Sequence, residues 1–354
     1  MDDNLLAYLP MDRRHAMAAG RSLPHAAQGA ALFADISGFT PLTEALVREL
    51  GPQRGAEELT SYINRVYDAL IDEIHRWRGS VIAFAGDAVT CWFDDADTPG
   101  LGAQRAVAAA FAMQAAMDAF AAIATPFGSV VSLSMKAAVA AGPVRRFLVG
   151  DPAVRVIDAI AGRTLERLAA AEHEAARGEV ILAPCAVEQL AAVVTPGAAR
   201  TAEDGRVFHV AAGLRAEIPA APWPPLDTSR IDPDAVRTWL LASVYTRLQR
   251  GLGEFLAELR PTVALFLRFA GIDYDDDPAA GAKLDAYIRW VQTVVETYQG
   301  TLIDLNIGDK GSYIYINFGA PRYHEDNDAC GHDCSWHWHA ARSTWTSSSR
   351  CRSG

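Results

Sequence analysis

The sequence predicts an α+β protein: an antiparallel-rich sheet with helices on one face, followed by a second, incomplete copy of the same unit. Three observations predict it. Between residues 25 and 212, short apolar runs alternate with amphipathic helical stretches. Two of those runs meet at Ala85-Gly86-Asp87, the pattern of a tight hairpin. Finally, RPTVALFLRFAGID (260–273), a helical stretch and GTLIDLNIGDKGSYIYINFGAP (300–321) repeat the order of QGAALFADISGFT and GSVIAFAGDAVTCWF.

Taken in order, GAALFADI (29–36) is a strand, and 40–50 and 56–77 carry helical periodicity. Residues 80–93 form the hairpin, and the Ala-rich stretch 101–124 a helix. VSLSMKAAVAAGPVRRFLVG (131–150) reads as a second hairpin turning at Ala141-Gly142-Pro143. Residues 157–177 read as a helix and 178–183 as a strand. Five prolines between 213 and 233 predict an extended linker, because proline fixes φ and removes a donor. In the second copy, 279–298 is a helix. The expected organisation is an N-terminal segment (1–24), a first domain (25–212), the linker (213–233), a partial second domain (234–328) and a tail (329–354).

That tail holds three of the five Cys and three of the eight Trp, with no period of 3.6 or 2. It is expected to be a disordered tail or the product of a changed reading frame near Ala329. Cys330, Cys334, His337 and His339 offer a loose zinc set whose spacing fits no standard knuckle.

Composition excludes several classes. The 354 residues carry 32 Lys and Arg against 43 Asp and Glu, a net charge of −11, which argues against a nucleic-acid partner. The longest uncharged stretch, 119–135, contains Pro126 and Gly128 and falls short of the ~20 apolar residues a membrane span needs. The start has two acids and no basic stretch followed by an apolar core, so no signal peptide is expected. Cys91 and Cys185 lie too far apart to suggest a disulfide framework, so a cytoplasmic location is expected.

The chemistry concentrates on two carboxylates. Asp35 ends an apolar strand and precedes Ser37-Gly38-Phe39-Thr40; Asp87 sits at the hairpin tip. Singly, one reads as a helix cap and the other as a turn residue. Neighbouring strands would bring both to one sheet edge, where hard oxygen ligands suit Mg²⁺ or Mn²⁺ with substrate phosphates completing the shell. Residues 37–40 open a helix whose free N–H groups suit phosphate oxygens.

ALFADISGFTPLTEAL together with RGAEELTSYINRVYDALIDEIHRWRGSVIAFAGDAVTCWF resembles a class III nucleotidyl cyclase catalytic domain. The tandem order and the 52 residues from Asp35 to Asp87 resemble most the soluble, bicarbonate-responsive adenylyl cyclase branch. The resemblance implies a ferredoxin-like fold, intramolecular pairing of the two copies, and one active site between them with a degenerate pseudo-site. It implies that Asp35, Asp87 and the carbonyl of Ile36 hold two Mg²⁺ (or Mn²⁺). Lys136 and residues Ser37, Gly38, Phe39 and Thr40 would contact the triphosphate, Arg167 would belong to the pseudo-site, and Lys310 would read the adenine. A donor-only lysine suits adenine N1, whereas guanine N1–H wants an acceptor.

Departures from the pattern stand beside it. By sequence, Arg268 aligns with Asp35, Ser312-Tyr313-Ile314 offers no acid for Asp87, and Ala83 aligns with Lys310, which argues against bicarbonate activation. The family's second base reader, its transition-state Asn and its phosphate-binding Arg have no counterparts. The implied activity is conversion of ATP to cyclic AMP and pyrophosphate, impaired in this chain. The alternatives are a non-catalytic nucleotide- or anion-binding module of a larger signalling protein, or a guanylyl cyclase.

Overall fold

A computed structural model describes residues 3–96, 98–251, 262–308, 311–321, 331, 334 and 335. Helices α1 (Asp3–Leu6) and α2 (Met11–Ala18) precede strand β1 (Ala26–Ser37), helices α3 (Phe39–Leu50) and α4 (Pro52–Arg76), and the hairpin β2 (Ser80–Ala85) and β3 (Ala88–Asp94). Next come α5 (Leu101–Met117), β4 (Ile123–Ala124), β5 (Val130–Val131), β6 (Ser134–Val149), β7 (Ile157–Ala161), α6 (Arg163–His173), β8 (Val180–Leu182), α7 (Pro184–Leu190), β9 (Val194–Thr201) and β10 (Val207–Leu214). The remainder is α8 (Pro233–Arg237), α9 (Ala242–Gln249), β11 (Val263–Phe269), α10 (Ala280–Thr297), β12 (Thr301–Gly308) and β13 (Gly311–Phe318).

The fold is α+β, with one mixed sheet ordered β2-β3-β1-β6-β8-β10-β9 and β7 paired to the far half of β6. Only the β6–β8 pairing is parallel among these. Helices cover both faces rather than the expected one. Leu32, Ala34 and Ile36 of β1 face Leu46, Leu70, Ile74 and Val107 of α3–α5. The alternate residue Ala31 shares a core with Leu165, Leu168 and Ala171 of α6. The period of two along a strand thus feeds two cores. Each fully buried Leu or Ile contributes roughly 1.5–3 kcal/mol.

Two expected elements are corrected. Residues 131–150 are not a hairpin: β6 runs unbroken for 16 residues through Gly142-Pro143. Arg146 N–H points toward the β1 side, to the His25 carbonyl. By alternation, Pro143 N therefore points away, into the gap between β8, which pairs 137–139, and β7, which pairs 145–149. No ladder bond is lost there, so proline is tolerated. Nor is 157–177 one helix. Its first five residues are strand β7, and Gly162, at φ 118°, makes the corner into α6.

A second sheet, β11-β13-β12, has the connectivity of β1-β3-β2. Its core is shared: Leu284, Ile288 and Val291 of α10 and Ile314 and Ile316 of β13 pack with Phe147, Val149 and Ile157 of β6 and β7. Gly281 is required at this joint, because a Cβ there would lie 2.8 Å from the Phe147 ring.

The N-terminal segment and the proline-rich stretch are structural parts. Leu5, Leu6 and Leu9 bury against Ile231, Val236 and Leu240. Residues 217–227 are irregular, as their prolines require, yet Ile218 is buried and Trp223 donates to the Gly79 carbonyl at 2.8 Å. Arg13 reaches the buried Asp158 at 2.8 Å, and Arg146 bridges Asp158 and Asp12. Among the described residues no helix is long and apolar enough to cross a membrane. Of the tail, Cys334 packs into the second core, while Cys330, His337 and His339 lie outside the described residues.

Candidate functional site

The strand register builds the site. Asp35 lies level with Ala88 of β3 on one side and Lys136 of β6 on the other. The β2–β3 loop is two residues, Gly86-Asp87, with Gly86 at φ 66°, a conformation that favours glycine at the first turn position. The Ile36 N–H donates to the Asp87 carbonyl at 3.1 Å, fixing the turn beside the end of β1. Asp35 and Asp87 therefore share one sheet edge, as expected from the sequence.

Asp35 alternates with Ile36, so it stands on the α6 face of the sheet. Lys136 Nζ lies 3.6 Å from Asp35 and 2.5 Å from Glu172 of α6. Burial raises the Asp35 carboxyl above its ordinary value, and the charges of Asp87 and Glu172 add to the effect against Lys136. Burial alone would lower Lys136, but Glu172 and Asp35 outweigh it and hold the ammonium charged. Two crowded carboxylates are a site that a cation would relieve.

Two site residues lacked a sequence signal. Tyr67 of α4 has a buried hydroxyl without a partner among the described residues. Burial, then the charges of Asp87 and Asp35, push its phenol up to about 12. Glu172 is the other. Both sit on helices far from the carboxylates in sequence, and only packing brings them in.

The helix after Asp35 begins at Phe39, capped by Gly38 at φ 114°. A Cβ on Gly38 would stand 2.5 Å from the Ser132 carbonyl, so this corner requires glycine. Ser37 pairs with Ser134, and Thr40 is exposed. Pro41 has no N–H, so the Phe39 and Thr40 amides are the donors at this end.

Arg167 is not brought to this edge. Its guanidinium lies near Gly142, 3.8 Å from where a Cβ would stand, and Gly142 is six residues from Lys136 along β6, roughly 20 Å. Lys310 lies outside the described residues. The flanking register nonetheless corrects its alignment. Ala85 pairs with Ala88, and Gly308 with Gly311, so the two hairpins align with Gly308 at the level of Ala85. Ala83, opposite Thr90, then matches Asn306, opposite Tyr313, rather than Lys310. Arg268 pairs with Tyr313 as Phe33 pairs with Thr90, two residues short of the level of Asp35. Each correction follows from the pairing of β13, which gapless comparison of the sequences does not see.

Asn306, Ile307 and Tyr313 face Phe33, Ala83 and Thr90 across a cavity of about 180 Å³ that Glu172 also lines. Among the described residues no three His, Cys, Asp or Glu are placed to hold a metal. Asp35 and Asp87 are two carboxylates, fewer than a closed cation shell needs, so a cation bound by them would keep ligand positions for phosphate or water.

No family model matches the chain. Over 330 residues the chain is 23% identical to adenylate cyclase type 10 of Homo sapiens, covering 83% of this chain and 19% of that protein. It thus spans about a fifth of that relative's length. Over 61 residues it is 38% identical to adenylate cyclase type 10 of Rattus norvegicus, 17% of this chain and 4% of that one. Among solved structures, the adenylyl cyclase CyaB from P. aeruginosa aligns with TM-score 0.43 and 21% identity, over 54% of this chain and 96% of that chain. The guanylyl cyclase Cya2 aligns with TM-score 0.44 and 20% identity, over 55% and 96%. The sequence likeness to adenylate cyclase type 10 supports homology with the class III adenylyl and guanylyl cyclases.

Proposed function

We propose that the chain carries the metal- and triphosphate-binding half of a nucleotidyl cyclase site, with ATP as substrate and cyclic AMP and pyrophosphate as products. The observation that carries it is the shared edge of Asp35 and Asp87, with Lys136 at 3.6 Å from Asp35 and the start of α3 beside it. The likeness to adenylate cyclase type 10 favours ATP.

Asp35, Asp87 and the Ile36 carbonyl would hold two Mg²⁺ or Mn²⁺ ions, which the crowding of the two carboxylates favours. When bound, such ions lower the pKa of a ribose hydroxyl and neutralise phosphate charge. Lys136 and the amides of Phe39 and Thr40 bind phosphate oxygens, and Ser37 and Gly38 shape the corner that presents them. Glu172 positions Lys136. In the reaction the 3′-oxygen bonds to the α-phosphorus, its proton passes to solvent water, and the bond from the α-phosphorus to the pyrophosphate oxygen breaks, releasing pyrophosphate. The second unit, paired intramolecularly with the first, supplies the base-facing wall through Asn306, and the base-reading role expected of Lys310 from the sequence is kept as part of this reading. Arg167 belongs to a separate pseudo-site.

A second reading has its own support. Asn306, with both donor and acceptor, suits adenine and guanine alike, so GTP is the competing substrate. Cyclic nucleotide formation with Mn²⁺ and either ATP or GTP, with Asp35→Asn as control, tests both readings. Cyclic AMP lost in the control is expected. Turnover that survives Asp35→Asn removes the metal assignment, and preferential turnover of GTP transfers the reading to guanylyl cyclase. Nucleotide binding with no turnover leaves a regulatory binding module.

A further inference from the structure

At the opposite end of β1 from Asp35 lies a cavity of about 440 Å³ between α2, the turn after α4, and the end of β3. Four arginines line it, Arg21, Arg78, Arg105 and Arg146, on a chain whose net charge is −11. The acids nearby are engaged. Asp12 binds Arg146 and the Arg13 N–H, and Asp94 accepts from the Ala96 N–H and Trp92 Nε1. Arg21 and Arg105 have no ion pair among the described residues.

Three buried nitrogens belonging to residues that line this cavity lack a partner among the described residues: Arg146 Nε, Arg78 Nε and His15 Nε2. Arg146 is 3% exposed, so its Nε has no compensation from bulk water. Arg78 is held at φ 59°, a conformation that residues with a side chain rarely adopt. Its guanidinium lies 5.8 Å over the Trp223 ring, and Trp223 stacks on His15 at 4.8 Å. Burial first, and then the charges of Arg78, Arg14 and Arg21 against Asp12, hold the His15 imidazole below its ordinary range.

Guanidinium groups are donors only, and a phosphate dianion is an acceptor that takes several such donors at once. We propose that this cavity is a second anion site that binds a phosphate group, either free or in a small phosphomonoester. Arg78, Arg105 and Arg21 supply the charge and the donors, and Arg146, held by Asp12 and Asp158, forms the wall behind them. The site does not depend on the nucleotide reading. Ala27, at its edge, is eight residues from Asp35 along β1, about 26 Å.

The test is calorimetric titration of the full chain with inorganic phosphate and with glycerol 3-phosphate at constant ionic strength. Saturable binding is expected in the wild type and in Lys136→Met, which removes the ammonium at the carboxylate edge. Arg78→Gln and, separately, Arg21→Gln with Arg105→Gln are each expected to weaken it by at least roughly tenfold, with unchanged far-ultraviolet dichroism. Tighter glycerol 3-phosphate assigns the rest of the cavity to an organic body, and equal binding assigns it to free phosphate. No saturable binding in the wild type overturns the proposal. So does binding that survives both sets of arginine changes, or binding lost in Lys136→Met, which would place the phosphate at the carboxylate edge instead.

Discussion

The edge formed by β1, β2 and β3 and the edge formed by β11, β12 and β13 share one strand order and one closing register, Ala85 with Ala88 and Gly308 with Gly311. Their chemistry differs. The first presents Asp35 and Asp87 beside Lys136. In the second, the level of Asp35 falls on Ala270, and Arg268 stands two residues earlier, at the level of Phe33. The same strand order can therefore carry different chemistry at the end of its first strand, Asp35 in one unit and Ala270 in the other. Topology gives the place, and the side chains at the ends of the strands give the charge.

The largest expected effect breaks this asymmetry at its centre. Asp35→Asn is expected to reduce metal-dependent triphosphate turnover by ~10²–10³ or more, while Arg268→Ala changes it by no more than a few fold. Steady-state rates of the two variants, side by side, decide whether the edges differ in function as they differ in charge.

A second prediction concerns what joins the two units. Phe147 belongs to a core that both units share. Phe147→Ala is expected to cost about 3–5 kcal/mol, seen as a lower denaturation midpoint. If the second unit had a core of its own, the loss would be confined to one of two separate transitions. Next in size, Lys136→Met is expected to weaken triphosphate binding by roughly tenfold or more, measured by nucleotide titration, since a charge-assisted bond is lost. Glu172→Gln should weaken it less, because Glu172 acts through Lys136.

The smallest effect is a pH effect on the first unit alone. Burial and then Arg14 lower His75 from 6.5 to about 4. A histidine held neutral in the folded state contributes no penalty above its unfolded value, and folding stability falls as pH drops from about 6.5 toward 4. His75→Gln should flatten that part of the stability curve. An unchanged slope in acid denaturation would show that His75 is solvated.

Much of this was readable in the sequence. Alternating apolar runs gave the α+β class, and Gly86-Asp87 between two such runs marked the hairpin that places Asp87. The unread parts have physical causes. Gly142-Pro143 looks like a turn, but the gap between β7 and β8 lets proline sit inside a strand. Residues 157–161 continue an apolar run into α6, and the break is one glycine at positive φ. Strand β9 is almost wholly exposed and carries no alternating pattern. Tyr67 and Glu172 reach the carboxylates only through helix packing. The arginines of the second cavity come from four separate stretches of chain.

The most direct test of the carboxylate edge is manganese binding, followed by paramagnetic resonance, with a non-cyclisable ATP analogue present. Wild type is expected to hold Mn²⁺ with the nucleotide, and Asp35→Asn and Asp87→Asn each to weaken that binding by tenfold or more while phosphate binding at the arginine cavity is unchanged. Equal Mn²⁺ affinity in all three proteins would contradict the account.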